Sequence, residues 1–275
     1  MSGLPIEQRF PRPSVMGIVN VTPDSFSDGG VNFEPEAAIA SARRMLAEGA
    51  AIVDIGAEST RPGADAVEAG EELRRIEPVL AELLGAPISI DTSKAVVARR
   101  ALELGAELVN DVTALRADPE MVEVVAESGA YLCLMHMRGK PRTMQDEPRY
   151  EDVVSEVAAF LEERLAFATA HGVREERICL DPGFGFGKTP VHNLEVMRHL
   201  SELRDLGFPV LLGTSRKSTL GRVLGGVPPE DRLEATLATT ALGIAGGVDI
   251  IRVHDVLANV RAARMSDAIV RGVFP

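Results

Sequence analysis

One pattern repeats along the whole chain: an amphipathic segment, a glycine, a short apolar run and then a polar residue. The apolar runs with their terminal polar residues occupy residues 15–20, 51–54, 87–91, 108–111, 131–136, 178–181, 209–213 and 249–252. Short apolar runs bounded by turn residues predict buried strands, and their alternation with helices predicts a parallel sheet with right-handed crossovers. Eight such runs in 275 residues predict a single (β/α)8 TIM barrel over residues 1–275, with an open, doubly wound sheet as the alternative.

The segments between the apolar runs have the spacing of amphipathic helices. One follows Pro35, and another follows Thr189 and Pro190, a pair that suits a helix cap and a first helical residue. The predicted apolar faces comprise Ala38, Ala42, Met45 and Leu46; Val154, Val157, Leu161, Leu165 and Ala168; and Leu194, Met197, Leu200 and Leu203. A glycine precedes seven of the strands, where the end of a helix needs a left-handed residue: Gly49, Gly85, Gly105, Gly129, Gly172, Gly207 and Gly247.

The net charge and the cysteine content argue against several classes of protein. A formal net charge of -12 at pH 7 argues against nucleic acid as a partner, because phosphate neutralisation needs a basic face. Cys133 and Cys179 lie in apolar runs, which favours buried thiols over a disulfide or a metal role. Residues 1–14 contain no apolar leader, and no apolar run is long enough to span a membrane. We therefore expect a soluble, cytoplasmic protein with no membrane partner.

Every predicted strand ends in a residue that can take part in chemistry. In chain order these residues are Asn20, Asp54, Asp91, Asn110 with Asp111, His136, Asp181, residues 215–217, and Arg252 with His254. A barrel places the carboxyl ends of all its strands on one rim, so we expect these residues to converge on one mouth. For Asp91 and Asp111 the sequence is equally compatible with helix capping, and for Asp54 we expect a structural role under the next loop.

The sixth strand ends in the sequence LDPGFGFGK, residues 180–188, which brings a carboxylate into a glycine-rich loop. Glycine lets the main chain approach a ligand closely, and the two phenylalanines offer flat apolar faces, so we predict a planar, hydrogen-bonding ligand. A phosphate-binding loop is one alternative, because Gly187, Lys188 and Thr189 match the end of that motif, although Pro182 stands where its first glycine belongs. A purely structural glycine turn is the other alternative.

Two loops, after the first and second strands, are longer than simple barrel connections and cover residues 20–35 and 56–70. Loops of this length in a compact domain are usually functional or disordered. Because both contain Thr, Pro, Gly and charged residues, we predict that residues 21–33 and 57–68 act as mobile lids. A third, basic loop over residues 138–150 is expected to be solvated surface.

Taken together, these segments resemble the dihydropteroate synthase family. MGIVNVTPDSFSDGG at residues 16–30 and DIGAESTRPG at residues 54–63 resemble its paired signatures. Its remaining blocks resemble SIDTSK at 89–94, NDV at 110–112, LMHM at 134–137, DPGFGFGK at 181–188, SRKS at 215–218 and RVH at 252–254. The resemblance covers nearly the whole chain, and Ala57, where the family has Gly as often as Ala, is one small departure.

The resemblance implies a folate-pathway transferase that joins 6-hydroxymethyl-7,8-dihydropterin diphosphate to p-aminobenzoate, releasing diphosphate and 7,8-dihydropteroate. It also implies a homodimer and a Mg2+ ion bound at Asn20. The catalytic residues that it implies are Asp24, Arg61, Lys217 and His254. The binding residues that it implies are Asp91, Asn110, Asp181, Lys217 and Arg252 for the pterin; Thr60, Arg61, Arg252 and His254 for the diphosphate; and Pro62, Phe186 and Ser218 for p-aminobenzoate.

General chemistry agrees with several of these implied roles. A buried carboxylate can accept two hydrogen bonds from the 2-amino and N3 edge of a pterin, and Asp181 is the best candidate. Guanidinium groups at Arg61 and Arg252 suit the oxygens of diphosphate, and Mg2+ held mainly by those oxygens needs only one or two protein ligands. An arylamine that attacks a cationic pterin-methylene intermediate hardly needs a base, so the base role of His254 stays open.

Two other functions remain alternatives at this point. A pterin-binding methyltransferase, which takes a methyl group from a reduced folate, shares the barrel but has no reason to keep residues 59–62 beside residues 252–254. A non-catalytic paralogue would only bind pterin, and the presence of Asn20, Arg61 and Lys217 argues against it. Release of diphosphate in the presence of both substrates distinguishes the transferase from both alternatives.

Overall fold

A computed structural model describes residues 3–22, 35–58, 66–139 and 142–272 of the chain. The strands in these residues are β1 (Ser14–Asn20), β2 (Ile52–Gly56), β3 (Ile88–Asp91), β4 (Leu108–Asp111), β5 (Tyr131–Met135), β6 (Ile178–Asp181), β7 (Leu211–Leu212) and β8 (Ile250–Val253). All neighbouring strands pair in parallel, in the order β6-β5-β4-β3-β2-β1-β8-β7. The alternation of eight buried strands with helices is therefore as predicted.

The two end strands of this order, β6 and β7, meet and close the barrel. The amide of Leu180 donates to the carbonyl oxygen of Pro209 (2.9 Å), and Leu180 forms an isolated parallel bridge with Val210. β7 itself spans two residues and is shorter than the predicted run 209–213. The closure confirms the (β/α)8 TIM barrel, and the open, doubly wound alternative is wrong.

Helices cover the outside of the barrel. In the described residues they are α1 (Ile6–Arg9), α2 (Pro35–Ala47), α3 (Ala69–Glu82), α4 (Ala95–Glu103), α5 (Met121–Ser128), α6 (Val153–Ala170), α7 (Pro190–Arg198), α8 (Leu200–Arg204), α9 (Ser218–Val223), α10 (Leu233–Ala245) and α11 (Val256–Arg271). Pro35 and Pro190 begin their helices as predicted, and Thr189 caps α7 by accepting from the amide of His192 (3.2 Å). None of the helices described has the length and apolar content needed to cross a bilayer.

The predicted apolar face over residues 194–203 is wrong as a single helix. The chain leaves the helical conformation at His199 (φ -112°, ψ 27°), between α7 and α8. α7 buries Asn193 and Val196, whereas Leu194 is 43% exposed. A break changes which side chains face the core, so one 3.6-residue period cannot describe both helices.

The seven glycines that precede strands have the backbone conformation predicted for helix ends. Their φ angles are all positive, from +65° at Gly129 to +104° at Gly49. Gly129 ends α5 in the left-handed conformation, and its amide donates to the carbonyl oxygen of Val125 (3.0 Å). Glycine adopts these angles without steric cost, which explains the glycine of each repeat.

The amino-terminal segment closes the lower end of the barrel. α1 and Phe10 pack against inward-facing residues of the strands in a group that we call the floor cluster. It comprises Ile6, Phe10, Met16, Ile52, Leu108, Tyr131, Cys133, Cys179, Leu211 and Ile250, all buried. The hydroxyl of Tyr131 donates to the carbonyl oxygen of Leu4 (2.8 Å). Cys133 and Cys179 are free and buried, which confirms the predicted burial of both thiols.

Candidate active site

Residues at the carboxyl ends of the first four strands lie side by side at one end of the barrel. Asn20 is in register with Gly56, Gly56 with Asp91, and Asp91 with Asn110. Because parallel strands place their carboxyl ends on the same rim, these side chains surround one opening. The predicted convergence is confirmed for Asn20, Asp91 and Asn110.

Arg252 of β8 joins two carboxylates across this opening. Its Nε donates to Oδ2 of Asp54 (2.6 Å), and its Nη2 donates to Oδ2 of Asp91 (2.7 Å). The side-chain Nδ2 of Asn110 donates to the same oxygen of Asp54 (2.9 Å). These four side chains, from β2, β3, β4 and β8, form one hydrogen-bonded unit that we call the mouth network.

Charges in the mouth network shift the pKa values of its members. Burial raises the pKa of Asp91 to about 7; Arg252 opposes this rise, and the like charge of Asp54 adds to it. Burial acts to lower the pKa of Arg252, but Asp54 and Asp91 outweigh it and the pKa is raised. The guanidinium therefore stays charged, whereas Asp91 can gain or lose a proton near neutral pH.

Asp54 was expected at the mouth in a structural role, and its bonds to Asn110 and Arg252 give it a larger part in the site than the sequence indicated. It is 0% exposed, its Oδ2 holds Asn110 and Arg252, and its Oδ1 has no hydrogen-bond partner among the described residues. The expectation that it only supports the next loop is therefore incomplete. A signal was available, because Asp54 precedes the end of β2 by two residues, and alternation along a strand then places its side chain inside the barrel with that of the last residue.

Asp181, the last residue of β6, and Lys217, in the loop after β7, carry opposite charges near each other at the same rim. Oδ1 of Asp181 accepts a hydrogen bond from the amide of Gly183 (2.7 Å). Burial raises the pKa of Asp181, and the nearby Lys217 opposes that rise. Nζ of Lys217 donates to the carbonyl oxygen of Phe184 and lies 4.6 Å from the ring centroid of Phe186. Burial lowers the pKa of Lys217 to about 8, although Asp181 opposes the change.

The loops after β7 and β8 are tied to each other. Oγ of Ser215 lies 2.9 Å from Nδ1 of His254 and accepts a hydrogen bond from the His254 amide (3.2 Å). Arg216, with φ +59°, donates to both carboxylate oxygens of Asp255 (3.0 and 2.7 Å). Ser218 begins α9 and is exposed. The residues predicted at the strand 7 and strand 8 ends are therefore held at one rim.

Residues 181–188, which we call the glycine loop, approach β5 closely. Gly183, Gly185 and Gly187 have φ angles of +66°, +86° and +61°. A Cβ atom at position 183 would lie 1.8 Å from the carbonyl oxygen of His136. Only glycine fits there, so the loop needs this residue for its own packing as well as for any ligand.

The phosphate-loop alternative is wrong, because Lys188 faces the inside of the glycine loop. Its side chain is 2% exposed, and Nζ donates to the carbonyl oxygens of Gly183 (3.0 Å) and Phe186 (3.3 Å). Nζ also lies 2.7 Å from Nδ1 of His136, a strand-end residue that is itself buried. A phosphate-binding lysine directs its ammonium group at the ligand instead.

The basic loop after β5 is largely solvent-exposed, as expected, and two of its side chains also pack on the glycine loop. Nε2 of Gln145 donates to the carbonyl oxygen of Gly185 (2.7 Å). The hydroxyl of Tyr150 donates to the carbonyl oxygen of Gly187 (2.8 Å). Arg138 lies 4.6 Å above the ring of Tyr150. This loop therefore supports the rim of the barrel.

The capping alternatives have opposite outcomes for Asp111 and Asp91. Oδ1 of Asp111 accepts from the amide and hydroxyl of Thr113 (2.8 and 2.7 Å), and Oδ2 accepts from the amide of Leu115 (2.7 Å). Asp111 therefore stabilises the turn after β4. Asp91 binds Arg252 instead and belongs to the mouth network.

Several predicted residues lie outside the described part of the chain. Asp24, Thr60, Arg61 and Pro62 are among them. Most of the two predicted lids also lies outside it, so the lid prediction stays a prediction.

Comparison with known proteins shows the family to which the chain belongs. A family model described as pterin binding enzyme matches residues 16–254. The dihydropteroate synthase of Neisseria meningitidis serogroup B is 49% identical over 266 residues, which are 94% of this chain and 93% of that protein.

Solved structures agree as well. The dihydropteroate synthase of Clostridium difficile, crystallised in the presence of pteroic acid, matches with a TM-score of 0.89 and 50% identity over 98% of this chain and 100% of that one. The dihydropteroate synthase of Xanthomonas albilineans with 4-aminobenzoic acid matches with a TM-score of 0.89 and 46% identity over 97% and 95% of the two chains. The chain therefore belongs to the dihydropteroate synthases of the pterin-binding enzyme family.

Proposed function

We propose that the mouth of this barrel performs the dihydropteroate synthase reaction through groups held at the strand ends. The pterinylmethyl group moves from 6-hydroxymethyl-7,8-dihydropterin diphosphate to the amino nitrogen of p-aminobenzoate, and the products are diphosphate and 7,8-dihydropteroate. One observation carries the proposal: the strand-end groups of Asp91, Asn110 and Asp181 share an opening with the cations of Lys217 and Arg252. A flat ligand with donors and acceptors along one edge fits this set.

Asp181 is proposed as the main anchor of the pterin. Its Oδ1 already accepts from Gly183, so Oδ2 and the second lone pair of Oδ1 are available for the 2-amino and N3 hydrogens. Asn110 and Asp91 line the same side of the opening, and Lys217 provides a donor for the 4-oxo oxygen. The pterin ring is neutral and would form several hydrogen bonds with these groups. It would therefore replace the water that they bind, and no further charged residue is needed.

Arg252 connects the pterin end with the proposed diphosphate end. Two of its N–H groups bind Asp54 and Asp91, and a guanidinium group has five such donors, so others can bind a ligand oxygen. His254 follows two residues later on the same rim, and the resemblance adds Thr60 and Arg61 to the diphosphate-binding set. Cationic groups at this end would stabilise the charge that develops on the leaving diphosphate.

Mg2+ is proposed as the cofactor, with Asn20 as its protein ligand. Asn20 ends β1 with a partly exposed side-chain amide, whose oxygen is a hard donor of the kind that Mg2+ prefers. The described residues contain no group of three or more His, Cys, Asp or Glu side chains that could hold a metal, which suits an ion carried largely by diphosphate oxygens. When bound, Mg2+ would neutralise charge on those oxygens.

The p-aminobenzoate slot is proposed beside the glycine loop. The ring of Phe186 offers a flat apolar face next to Nζ of Lys217, and Ser218 is exposed at the start of α9. Pro62 is assigned to this slot, and Asp24 to the catalytic set, through the resemblance alone. An aromatic acid can stack on such a face while its amino nitrogen points towards the pterin.

The chemical step breaks one bond and forms another. The C–O bond between the pterin methylene and the diphosphate breaks, and the electron pair leaves with the diphosphate oxygen. The resulting cationic pterin-methylene is attacked by the lone pair of the arylamine nitrogen, which forms the C–N bond and then loses a proton. The protein contributes mainly positioning and electrostatic stabilisation, with Arg61, Lys217 and His254 in those roles.

A coupled diphosphate-release assay tests this proposal. We expect one diphosphate per 7,8-dihydropteroate when both substrates are present and much slower release without p-aminobenzoate. Asp181→Asn serves as the variant without the pterin anchor, and exposed Asp231→Asn as the matched control. Methyl transfer from a reduced folate, or pterin binding with no diphosphate release, would contradict the proposal.

A homodimer is proposed through the face formed by α10 and α11. Along α11, Leu257, Met265 and Ile269 recur at spacings of four or eight residues and are all exposed, Ile269 at 70%. Leu242 of the neighbouring α10 is 64% exposed. A two-fold pairing would cover this apolar face, and sedimentation of the wild type and of Ile269→Glu would test it.

The cytoplasm is proposed as the location. Cys133 and Cys179 are buried free thiols in neighbouring strands, which fits a reducing compartment. Fractionation of cells expressing the tagged full chain would test this.

A further inference from the structure

All five carbonyl groups of residues 183–187 in the glycine loop accept hydrogen bonds from side chains. The donors are Lys188 for Gly183 and Phe186, Lys217 for Phe184, Gln145 for Gly185, and Tyr150 for Gly187. This run lies outside any helix or strand, and buried carbonyl groups that lack regular partners must find other donors. The conformation of the loop therefore depends on a small number of side chains.

Lys188 differs from the other donors because it binds the loop from inside. Its Nζ reaches two carbonyl oxygens that are three residues apart, those of Gly183 and Phe186, and contacts Nδ1 of His136, the residue that follows β5. The other three donors come from outside residues 181–188, on the loops after β5 and β7. Lys188 therefore ties Gly183 and Phe186 of the loop to His136, next to β5.

The surroundings of Lys188 fit this role. Burial lowers the pKa of Lys188 well below its usual range, and the nearby Asp181 opposes the change. Burial also lowers the pKa of His136 to about 2, and the charge of Lys188 contributes to this. His136 is therefore a neutral imidazole, and its Nδ1 can accept a hydrogen bond from the lysine nitrogen.

We propose that Lys188 is a positioning residue that sets the orientation of Phe186, and through it the p-aminobenzoate slot. The proposal rests on the function proposed above. The carbonyl group of Phe186 is bound by Lys188, and the ring of Phe186 lies on Nζ of Lys217. Lys188 therefore holds the backbone from which the ring projects, and the contact with Lys217 holds the ring itself.

The sequence of the loop explains why an internal donor is needed. Gly185 and Gly187, on either side of Phe186, have positive φ and no side chains that resist rotation. Without Lys188, the Phe186 carbonyl group loses its donor, and the Gly183 carbonyl group keeps only the bond from the Phe186 amide (3.0 Å), so the loop can turn towards other partners. Asp181 is anchored separately, at the end of β6 and through the amide of Gly183. The pterin anchor should therefore be less sensitive to Lys188 than the ring of Phe186 is.

Lys188→Met tests the proposal, because methionine keeps the length of the side chain and removes the donor. We expect the KM for p-aminobenzoate to rise and kcat to fall, lowering kcat/KM for that substrate about 100-fold, as for a reacting group displaced by about 1 Å. The fold-change in the KM for the pterin diphosphate should be smaller than that for p-aminobenzoate, by a factor of at least about ten. Active sites are counted by calorimetric pterin binding, so that lost protein is not mistaken for lost affinity.

Arg164→Met is the matched control. Arg164 is also a buried cation that donates to two backbone carbonyl groups, those of Ala114 (2.8 Å) and Leu115 (3.4 Å), in the loop after β4. Its loss should lower the melting temperature without changing the KM for p-aminobenzoate. If Lys188→Met behaves like Arg164→Met, or raises both KM values equally, Lys188 only stabilises the fold and the proposal is wrong.

A second pair of variants keeps the test decisive if Lys188→Met does not fold. His136→Asn retains an acceptor near the position of Nδ1, whereas His136→Leu removes it. We expect His136→Asn to keep most of the p-aminobenzoate affinity and His136→Leu to lose it, with similar melting temperatures. Equal KM values for these two variants would overturn the proposal. A failure of the proposed function is distinguishable, because the wild type would then release no diphosphate.

Discussion

The floor and the mouth of this barrel are built from the same strands, but different forces hold them. The floor cluster is apolar apart from the Tyr131 hydroxyl and two thiols, and the hydroxyl is bound to the carbonyl oxygen of Leu4. The mouth network buries Asp54 and covers most of Asp91 around Arg252. Burial of apolar surface stabilises a fold, whereas burial of charge costs free energy unless every charge is paired and hydrogen-bonded.

This contrast indicates that the two ends of each strand have different roles. The floor end stabilises the fold, and the mouth end holds groups in an arrangement that a ligand completes. Changes at the mouth should alter affinity more than stability, and changes at the floor should do the reverse. Four experiments test whether floor and mouth differ in this way.

The largest effect is expected for Asp181→Asn. The amide presents a donor to the donors of the pterin, and each buried group left unpaired costs about 1–3 kcal/mol, so affinity for the pterin diphosphate should fall at least about 100-fold. Asparagine can still accept from the amide of Gly183, and one buried charge is removed, so the free energy of unfolding should change by less than about 1 kcal/mol. Calorimetry and urea unfolding measure the two quantities, and an unchanged affinity would show that Asp181 is not the anchor.

Asp54→Ala should break the comparison, because Asp54 supports both affinity and fold at the mouth. Its loss leaves Arg252 and Asn110 without their shared acceptor, and breaking a buried ion pair costs about 3–5 kcal/mol. Urea unfolding should show that loss together with weaker pterin binding. Asp54→Asn keeps an acceptor and should recover part of both. A stable Asp54→Ala with normal affinity would mean that Asp91 alone holds Arg252.

The pH dependence of stability should carry a contribution from Asp91. Its folded-state pKa of about 7 lies above the usual carboxyl value, so between pH 4 and 7 the folded state binds more protons than the unfolded state. This contribution therefore makes the free energy of unfolding fall as the pH rises through that window, by at most about 1.4 kcal/mol per pH unit for one proton. Asp91→Asn removes it, so the stability of the variant relative to the wild type should rise with pH.

Urea unfolding of both proteins at several pH values between 4 and 7 measures this difference. A stability difference that does not depend on pH would show that Asp91 is ionised throughout. Burial of its charge at the mouth would then cost less free energy than we expect. Asp231→Asn, at an exposed position, provides the baseline.

The smallest effect is expected for Tyr131→Phe at the floor. The variant loses the hydrogen bond to Leu4, which is worth about 1 kcal/mol, or about 2–4 °C in melting temperature for a chain of this size. Both KM values should stay unchanged, because the ring remains in the floor cluster. Differential scanning calorimetry with steady-state kinetics would test this, and any change of KM would contradict the separation of floor from mouth.

The sequence predicted the barrel well because its signals are local. Each run ending in a polar residue reports its own strand, and the prediction that strand ends share a rim needs only the fold class. It failed where a partner is distant: Asp54 and Arg252 are 198 positions apart, and nothing in either run indicates that they meet. Lys188 shows a second limit, since a glycine-lysine motif does not state whether the ammonium faces a ligand or its own loop. Partner choice is a property of the packed molecule.

Lys217 lies beside the junction of β6 and β7 that closes the barrel. The single bridge between Leu180 and Val210 is the sparsest seam of the described sheet, and Asp181 and Lys217 belong to the two strands and loops that flank it. The contact of Lys217 with the carbonyl group of Phe184 already crosses that seam. A ligand bound by both residues would add a second connection across this seam. Binding of the substrate and the free energy needed to open the barrel would then be thermodynamically linked.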